Sequence, residues 1–243
     1  MKQVLIISDN PTLVAGFKKL VKQPEYSNYS FVFRCSKGSE ESLSAAVGSP
    51  VLAVKVKTEW SSLVSNYELI ISLHCKQLFP AELVQAVRCI NVHPGLNPYN
   101  RGWFPQVFSI LNGLPTGATI HEIDEELDHG NIIAQQEVEN NVWDTSIDIY
   151  NRVLQQELKL LEAHLPQILE DNYKTFEPNE EGNLNLKKDF NALCELDIEK
   201  VQRVGDTIDQ LRALTHGEYQ NAYFFDPKTG KKVYVSIRLE TKE

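Results

Sequence analysis

Short apolar runs separated by helix-like stretches dominate the first half of the chain. Residues 4–7 (Val4-Leu5-Ile6-Ile7) and 69–73 (Leu69-Ile70-Ile71-Ser72-Leu73) lack the polar alternation of a half-exposed strand. That is the pattern of strands covered on both faces of a parallel sheet. Residues 31–33, 51–54 and 87–92 read as further strands, the last halted by Pro94-Gly95. Between them, Asn10-Pro11 opens a helix with Leu13, Phe17, Leu20 and Val21 on one side, and Pro80 opens a shorter one. Strands alternating with helices predict an α/β fold built on a doubly wound, mainly parallel sheet.

Downstream, residues 104–111 read as a helix ended by Gly113-Leu114-Pro115, and residues 119–123 and 132–137 as strands flanking a polar turn over 124–131. A long helix follows, with Asp144 or Thr145 as N-cap and Asp148 placed for a capping box. Ile149, Val153, Leu154, Leu158, Leu161 and Leu165 form its apolar face. Residues 177–188, with Pro178 and Gly182 and few apolar side chains, read as a linker. A helix over 198–214 and two strands, 222–225 and 232–239, joined by Pro227-Lys228-Thr229-Gly230, complete the pattern. The expected organisation is an α/β domain over 1–178 and a small helix-plus-hairpin module over 179–243.

Composition narrows the function classes. The chain has 243 residues, with 24 Lys and Arg against 33 Asp and Glu, a net charge of −9. That balance argues against broad binding to nucleic acid or to an anionic membrane, which needs clustered cations, yet leaves a small anionic ligand open. Cys35, Cys75, Cys89 and Cys194 are scattered, without C-x-x-C, as in a reduced cytosolic protein. The four apolar residues of the first run are too few for a signal peptide or a membrane helix. The expectation is a soluble, cytoplasmic chain.

Two polar clusters could carry chemistry. Asn91 and His93 lie two apart near the carboxyl end of a strand, so both side chains share a face at the edge where open α/β sheets bind ligands. Alone, they read equally as a polar pair bonded to a loop. Asp128, two residues before Gly130, lies in an acidic turn that alone reads as a surface turn. His93, His121, Asp128 and His129 lack a helical H-x-x-x-H spacing, so no catalytic metal is expected.

Together these pieces resemble the folate-dependent formyltransferase family. The resemblance rests on Asn91-x-His93, the Pro-rich loop ending in Arg101-Gly102, Gly117-x-Thr119-x-His121 and Asp128-x-Gly130-x-Ile132, in that order. By element order it covers about residues 1–175. It implies Asn91, His93 and Asp128 as the catalytic constellation. Formyl transfer is attack of an amine on a formamide-like carbonyl through an oxyanion. An Asn91 amide N–H can donate to that oxyanion, and His93 can take or return the amine's proton. Asp128 can fix the His93 tautomer or relay a proton through water. No covalent nucleophile is required, and no G-x-S-x-G elbow is present.

The formyl donor implied is 10-formyltetrahydrofolate, its pterin between Leu78, Phe79 and Pro80 on one side and Ile123, Asp124 and Leu127 on the other. Within the family, an acidic chain with a tail of about 60 residues suits tRNA poorly. Ser8-Asp9-Asn10-Pro11 also lacks the glycines of a phosphate nest. The run from Asn91 to Gln106, with Tyr219 and Tyr223 near the C-terminus, looks most like the branch acting on dTDP-linked amino sugars. Its nearest members formylate dTDP-4-amino-4,6-dideoxyglucose for bacterial surface glycans such as O-antigen. The corresponding 3-amino sugars, a non-catalytic nucleotide-sugar or folate binder, and a hydrolase releasing formate are the alternatives. Lys76 and Arg101 are the candidates for the diphosphate. Asn97, Tyr99 and Asn100 could bond sugar or phosphate, or only shape turns. Trp103, Tyr219 and Tyr223 could stack on thymine, or pack as core. A homodimer built through the C-terminal segment is also implied by the resemblance.

Overall fold

The computed structural model describes residues 1–242. In chain order the first elements are β1 (Lys2–Ser8), α1 (Pro11–Leu20), β2 (Tyr29–Cys35), α2 (Glu40–Val47), β3 (Leu52–Ala53) and α3 (Val56–Asn66). Next come β4 (Leu69–Leu73), α4 (Ala81–Ala86), β5 (Arg88–His93), β6 (Arg101–Gly102), α5 (Pro105–Asn112), β7 (Thr116–Glu122) and β8 (Ile132–Val138). The last are α6 (Ser146–Leu169), β9 (Leu184–Asn185), α7 (Lys187–Cys194), α8 (Val204–Leu214), β10 (Tyr223–Phe225) and β11 (Lys232–Tyr234). They divide into two compact units. The first holds Met1–His93, Ala118–Gln136 and Gln156–Asn179; the second holds Pro94–Gly117, Glu137–Gln155 and the chain from Glu180 onward.

The first unit is built on a seven-stranded sheet of order β3-β2-β1-β4-β5-β7-β8. β1, β2, β3, β4 and β5 pair in parallel, whereas β7 runs antiparallel to β5. The apolar runs explain the centre: every residue of β4, and Val4 through Ser8 of β1, is buried. α1 starts where Asn10 accepts from the Leu13 backbone N–H at 3.0 Å, and its Phe17, fully buried, meets Phe31 edge-on with ring centroids 5.6 Å apart. α2 and α3, not expected from the sequence, bury only Leu43 and Val47, and Val56 and Leu63, respectively. Too few positions face the core for a 3.6-residue period to stand out.

In the second unit α5 packs against α8, and the unit also holds two small sheets, β6–β9 and β10–β11. The stretch over 177–188 is not a passive linker: β9 pairs with β6, and α7 begins at Lys187. The expected helix over 198–214 is helical only over Val204–Leu214, and the last expected strand is shorter, Lys232–Tyr234. α6 has the expected cap, with the Asp148 carboxylate accepting from the Thr145 backbone N–H at 2.9 Å and its hydroxyl at 2.6 Å. Among the described residues, no helix is long and apolar enough to cross a membrane.

Strand order reverses between β1 and β4, the switch point of the sheet. Three polar side chains meet there. His74, just past β4, has φ of 57°, and its Nδ1 accepts from Asn10 Nδ2 at 3.0 Å. The proton of the neutral ring therefore sits on Nε2, which donates to Glu157 Oε1 of α6 at 2.6 Å. Glu157 is fully buried, its Oε2 has no hydrogen-bond partner, and burial pushes its carboxyl above the ordinary range despite His74.

A carboxyl raised in the folded state favours folding most below its ordinary value, and that contribution is lost as pH rises through the folded value. The Glu157→Gln variant keeps the shape without the charge. It is expected to gain stability relative to the wild type as pH is raised from about 4 to about 8, read by urea unfolding. A wild type that instead gains on the variant would show that the ionised His74–Glu157 pair stabilises the fold.

Candidate active site

The antiparallel pairing of β5 with β7 builds the site. Its register sets Asn91 opposite His121 and His93 opposite Thr119, so Asn91, His93 and His121 converge at one edge of the first unit. The turn after β7 then returns Asp128 to the same place. Asp128 has φ of 50°, and Gly130 is required: a Cβ there would lie 2.0 Å from the Glu122 carbonyl oxygen.

Asn91 Nδ2 donates to Asp128 Oδ1 at 2.9 Å and faces His121 Nε2 at 3.2 Å. His121 Nδ1 lies 2.6 Å from the Glu122 carbonyl, which only accepts, so the His121 proton sits on Nδ1 and Nε2 accepts from Asn91. Both Asn91 amide hydrogens are thus committed. The other Asp128 oxygen, Oδ2, lies 3.4 Å from His93 Nδ1. His93 is 3% exposed, and its ring meets that of His121 edge-on with centroids 6.2 Å apart. A carboxylate on Nδ1 holds the proton there and leaves Nε2 as the basic nitrogen. This grouping can orient a carbonyl and move one proton.

The other residues singled out by the sequence fall into several settings. Phe79 is buried in a core cluster with Leu5, Leu83 and Cys89, and Ile123 packs against that cluster. The Phe79 side chain is therefore core, and that of Ile123 is half-buried at its margin. Leu78 is 70% exposed, Pro80 caps α4, and Leu127 is half-buried. Asp124 accepts from the Glu126 backbone N–H at 2.9 Å and faces His129 Nδ1 at 2.7 Å. Gln85 of α4 donates to Glu125 at 2.7 Å, tying that helix to the turn after β7. Lys76 is exposed, and its backbone N–H donates to Asp9.

Asn97, Tyr99, Asn100, Arg101, Trp103, Tyr219 and Tyr223 belong to the second unit. Asn97 is buried, and Tyr99 donates to Glu180 at 2.6 Å. Asn100 is fully buried, its amide bonded to Ser109, Asn112, Asn183 and Asn185, so its side chain is committed to the loop. Arg101 is 7% exposed, with no hydrogen-bond partner for Nε and no ion pair among the described residues. Trp103 packs beside Phe104 and under Lys187. Tyr219 is 73% exposed next to His216. Tyr223 differs from expectation: Lys232 Nζ lies 3.4 Å from its ring centroid, and Phe225 and Tyr234 pack at its edges. One face of its ring is thus covered by Lys232 within the hairpin. The sequence alone gives His121 only a supporting role; the facing register makes it the second partner of Asn91. Asn183 and Asn185 are hidden in a stretch too polar to suggest order.

The formyl transferase family signature matches residues 2–165. The chain belongs to that family. A second signature, the N-formyltransferase dimerization C-terminal domain, matches residues 189–241. A dTDP-4-amino-4,6-dideoxyglucose formyltransferase of Mycobacterium bovis is 50% identical over 183 residues, 75% of this chain and 78% of the relative. Among solved structures, a sugar N-formyltransferase from a Shewanella species superimposes with a TM-score of 0.94 at 45% identity, covering all of both chains. A 4-N formyltransferase from Francisella tularensis superimposes with a TM-score of 0.93 at 43% identity, covering 99% of each. This chain is accordingly an N-formyltransferase with the mostly parallel formyltransferase sheet.

Because the turn carrying Asp128 has no room for a Cβ at Gly130, Gly130→Ala is expected to destabilise the first unit by about 1–3 kcal/mol. Turnover should fall further than stability explains, since Asp128 moves with the turn. Urea unfolding and initial rates on the same preparation check this, and an unchanged rate would separate the turn from the chemistry.

Proposed function

We propose that this enzyme transfers the formyl group of 10-formyltetrahydrofolate to the amino group of dTDP-4-amino-4,6-dideoxyglucose. The observation that carries the reading is the Asn91–Asp128–His93 arrangement, one carboxylate orienting an amide donor and an imidazole base. The sugar is supported by the 50% identical relative of that name and by the Francisella 4-N formyltransferase.

The donor fits the residues present. Leu78 and Leu127 offer apolar surface, and the turn over 124–129 offers backbone groups of the kind that read a pterin edge. When bound, 10-formyltetrahydrofolate supplies an activated formyl group. Asp128 keeps the His93 proton on Nδ1, so Nε2 takes the proton lost by the attacking amine and can return it to the nitrogen that the formyl group leaves. Asn91 supplies an N–H to the oxygen on which charge develops. The Asn91 hydrogen now donated to His121 Nε2 is the one to be redirected, because releasing Asp128 would take a strong bond from a carboxylate whose side chain is 10% exposed. Arg101 serves the diphosphate. Asn97, Tyr99 and Trp103 shape the loop that carries Arg101, and exposed Tyr219 is the remaining aromatic for thymine. The enzyme acts as a homodimer through the segment matching the dimerization domain, where Phe225, Val233 and Tyr234 leave apolar surface on the β10–β11 hairpin.

The test is a panel of dTDP-3-amino and dTDP-4-amino sugars with 10-formyltetrahydrofolate, read by product mass, beside donor alone. Formylation of the 4-amino sugar is expected; formylation of only 3-amino sugars would move the substrate, and formate from donor alone would make the chain a hydrolase. His93→Asn and Asp128→Ala should each lower kcat by about 10²- to 10⁴-fold with unchanged circular dichroism. Near-normal turnover in both would overturn the catalytic roles of these two side chains. Sedimentation should find one two-chain species, reduced to single chains in a Phe225→Asp, Tyr234→Asp double variant.

A further inference from the structure

Within the second unit, the loop over 97–104 has a costly backbone. Asn100, Gly102 and Phe104 lie at φ of 52°, 90° and 55°, and only Arg101–Gly102 belong to a strand. Such a path persists only where surrounding groups impose it. Those groups come from the segment over 180–190. Asn183 holds Asn100 twice: its Oδ1 accepts from the Asn100 backbone N–H, and its Nδ2 donates to Asn100 Oδ1, each at 2.8 Å. Asn185 Nδ2 adds a bond to the same oxygen at 3.1 Å. The Arg101 and Trp103 backbone N–H groups donate to the Asn183 and Asn185 carbonyls at 2.9 Å, and the Asn183 N–H returns to the Pro98 carbonyl at 3.3 Å. Phe104 packs on Phe190 with centroids 4.1 Å apart. The approach is so close that a Cβ on Gly182 would lie 2.0 Å from the Pro98 oxygen, and one on Gly102 2.4 Å from the Asn185 oxygen.

The residue enclosed by this strap is Arg101. Its neighbours Asn100 and Gly102 are bonded or wedged on both sides, while its own side chain is buried with Nε unmatched. Burying a guanidinium without a carboxylate is costly, and a ligand anion offsets that cost. A flexible loop would let Arg101 swing out to water, and the strap forbids this.

We infer that Asn183 is a positioning residue: it fixes the backbone over 100–102 and thereby presents Arg101 to the substrate's diphosphate. The inference rests on the proposed role of Arg101 as the diphosphate's partner. It assigns the polar stretch after α6 a part in nucleotide-sugar affinity and not in the transfer step.

The test uses full-length Asn183→Ala, Gly182→Ala and Asn185→Ala proteins, with steady-state kinetics on dTDP-4-amino-4,6-dideoxyglucose and calorimetric titration with dTDP. Asn183→Ala and Gly182→Ala are expected to raise the nucleotide-sugar KM about tenfold or more, the effect of one misplaced charge-assisted bond. The Kd for dTDP should rise in parallel, while kcat and the donor KM stay within about twofold. Asn185→Ala, losing one longer bond, should raise KM less and remain folded if the others do not. A fall in kcat at constant KM, or no change in any folded variant, would overturn the inference. A wild type that neither binds dTDP nor formylates a nucleotide sugar would overturn the diphosphate reading itself, and this inference with it.

Discussion

The Asp128 carboxylate is the group on which the arrangement of the site depends. Its two oxygens are divided between Asn91 and His93, and that division settles two questions that neither partner settles alone. An amide can present either end, but beside a carboxylate only the NH2 end is favourable. An imidazole can carry its proton on either nitrogen, but beside a carboxylate it carries it there. A hydrogen bond to a charged group is worth about 1.5–3 kcal/mol, enough to fix the Asn91 orientation before any ligand arrives. The longer 3.4 Å contact biases the His93 proton toward Nδ1. The β5–β7 register, the left-handed Asp128 and the bare Gly130 all serve to bring that carboxylate to the strand edge.

A comparison of Asn100 with Arg101 shows how buried polar groups differ in purpose. They are adjacent in sequence and both buried, and both look like ligand contacts in the sequence. The Asn100 amide is saturated by four neighbours, so it belongs to the scaffold. Arg101 Nε has none, and a buried unmatched donor calls for an explanation outside the chain's own scaffold. Saturation, more than burial, separates the two.

The same distinction explains what is legible in the sequence. β1, β4 and β5 are legible because residues covered on both faces leave continuous apolar runs, and the spacing of Asn91 and His93 places them on one face whatever their neighbours are. Asp128 is legible through its motif with Gly130. α2 and α3 are not, since each buries two residues and the rest of their surface is polar. The strap over 180–190 reads as a linker because its order comes from amide and backbone bonds, which leave no hydrophobic period. Phe79, Ile123 and Tyr223 carry side chains equally suited to a core and to a ligand, and only packing places them: the first in the sheet's core, the second half-buried against it, the third under Lys232.

The switch point of the sheet has a bearing on what this scaffold admits. In doubly wound proteins the crevice there commonly receives a phosphate, drawn by glycine-rich backbone and a helix N-terminus. In this chain that helix N-terminus is capped by Asn10, whose amide also closes onto His74, and Glu157 lies beneath. An imidazole and a buried acid of the chain itself thus stand at the switch point. Where such proteins offer bare backbone to an anion, this chain sets a run of side-chain hydrogen bonds that ties the start of the first helix to the sixth through one imidazole.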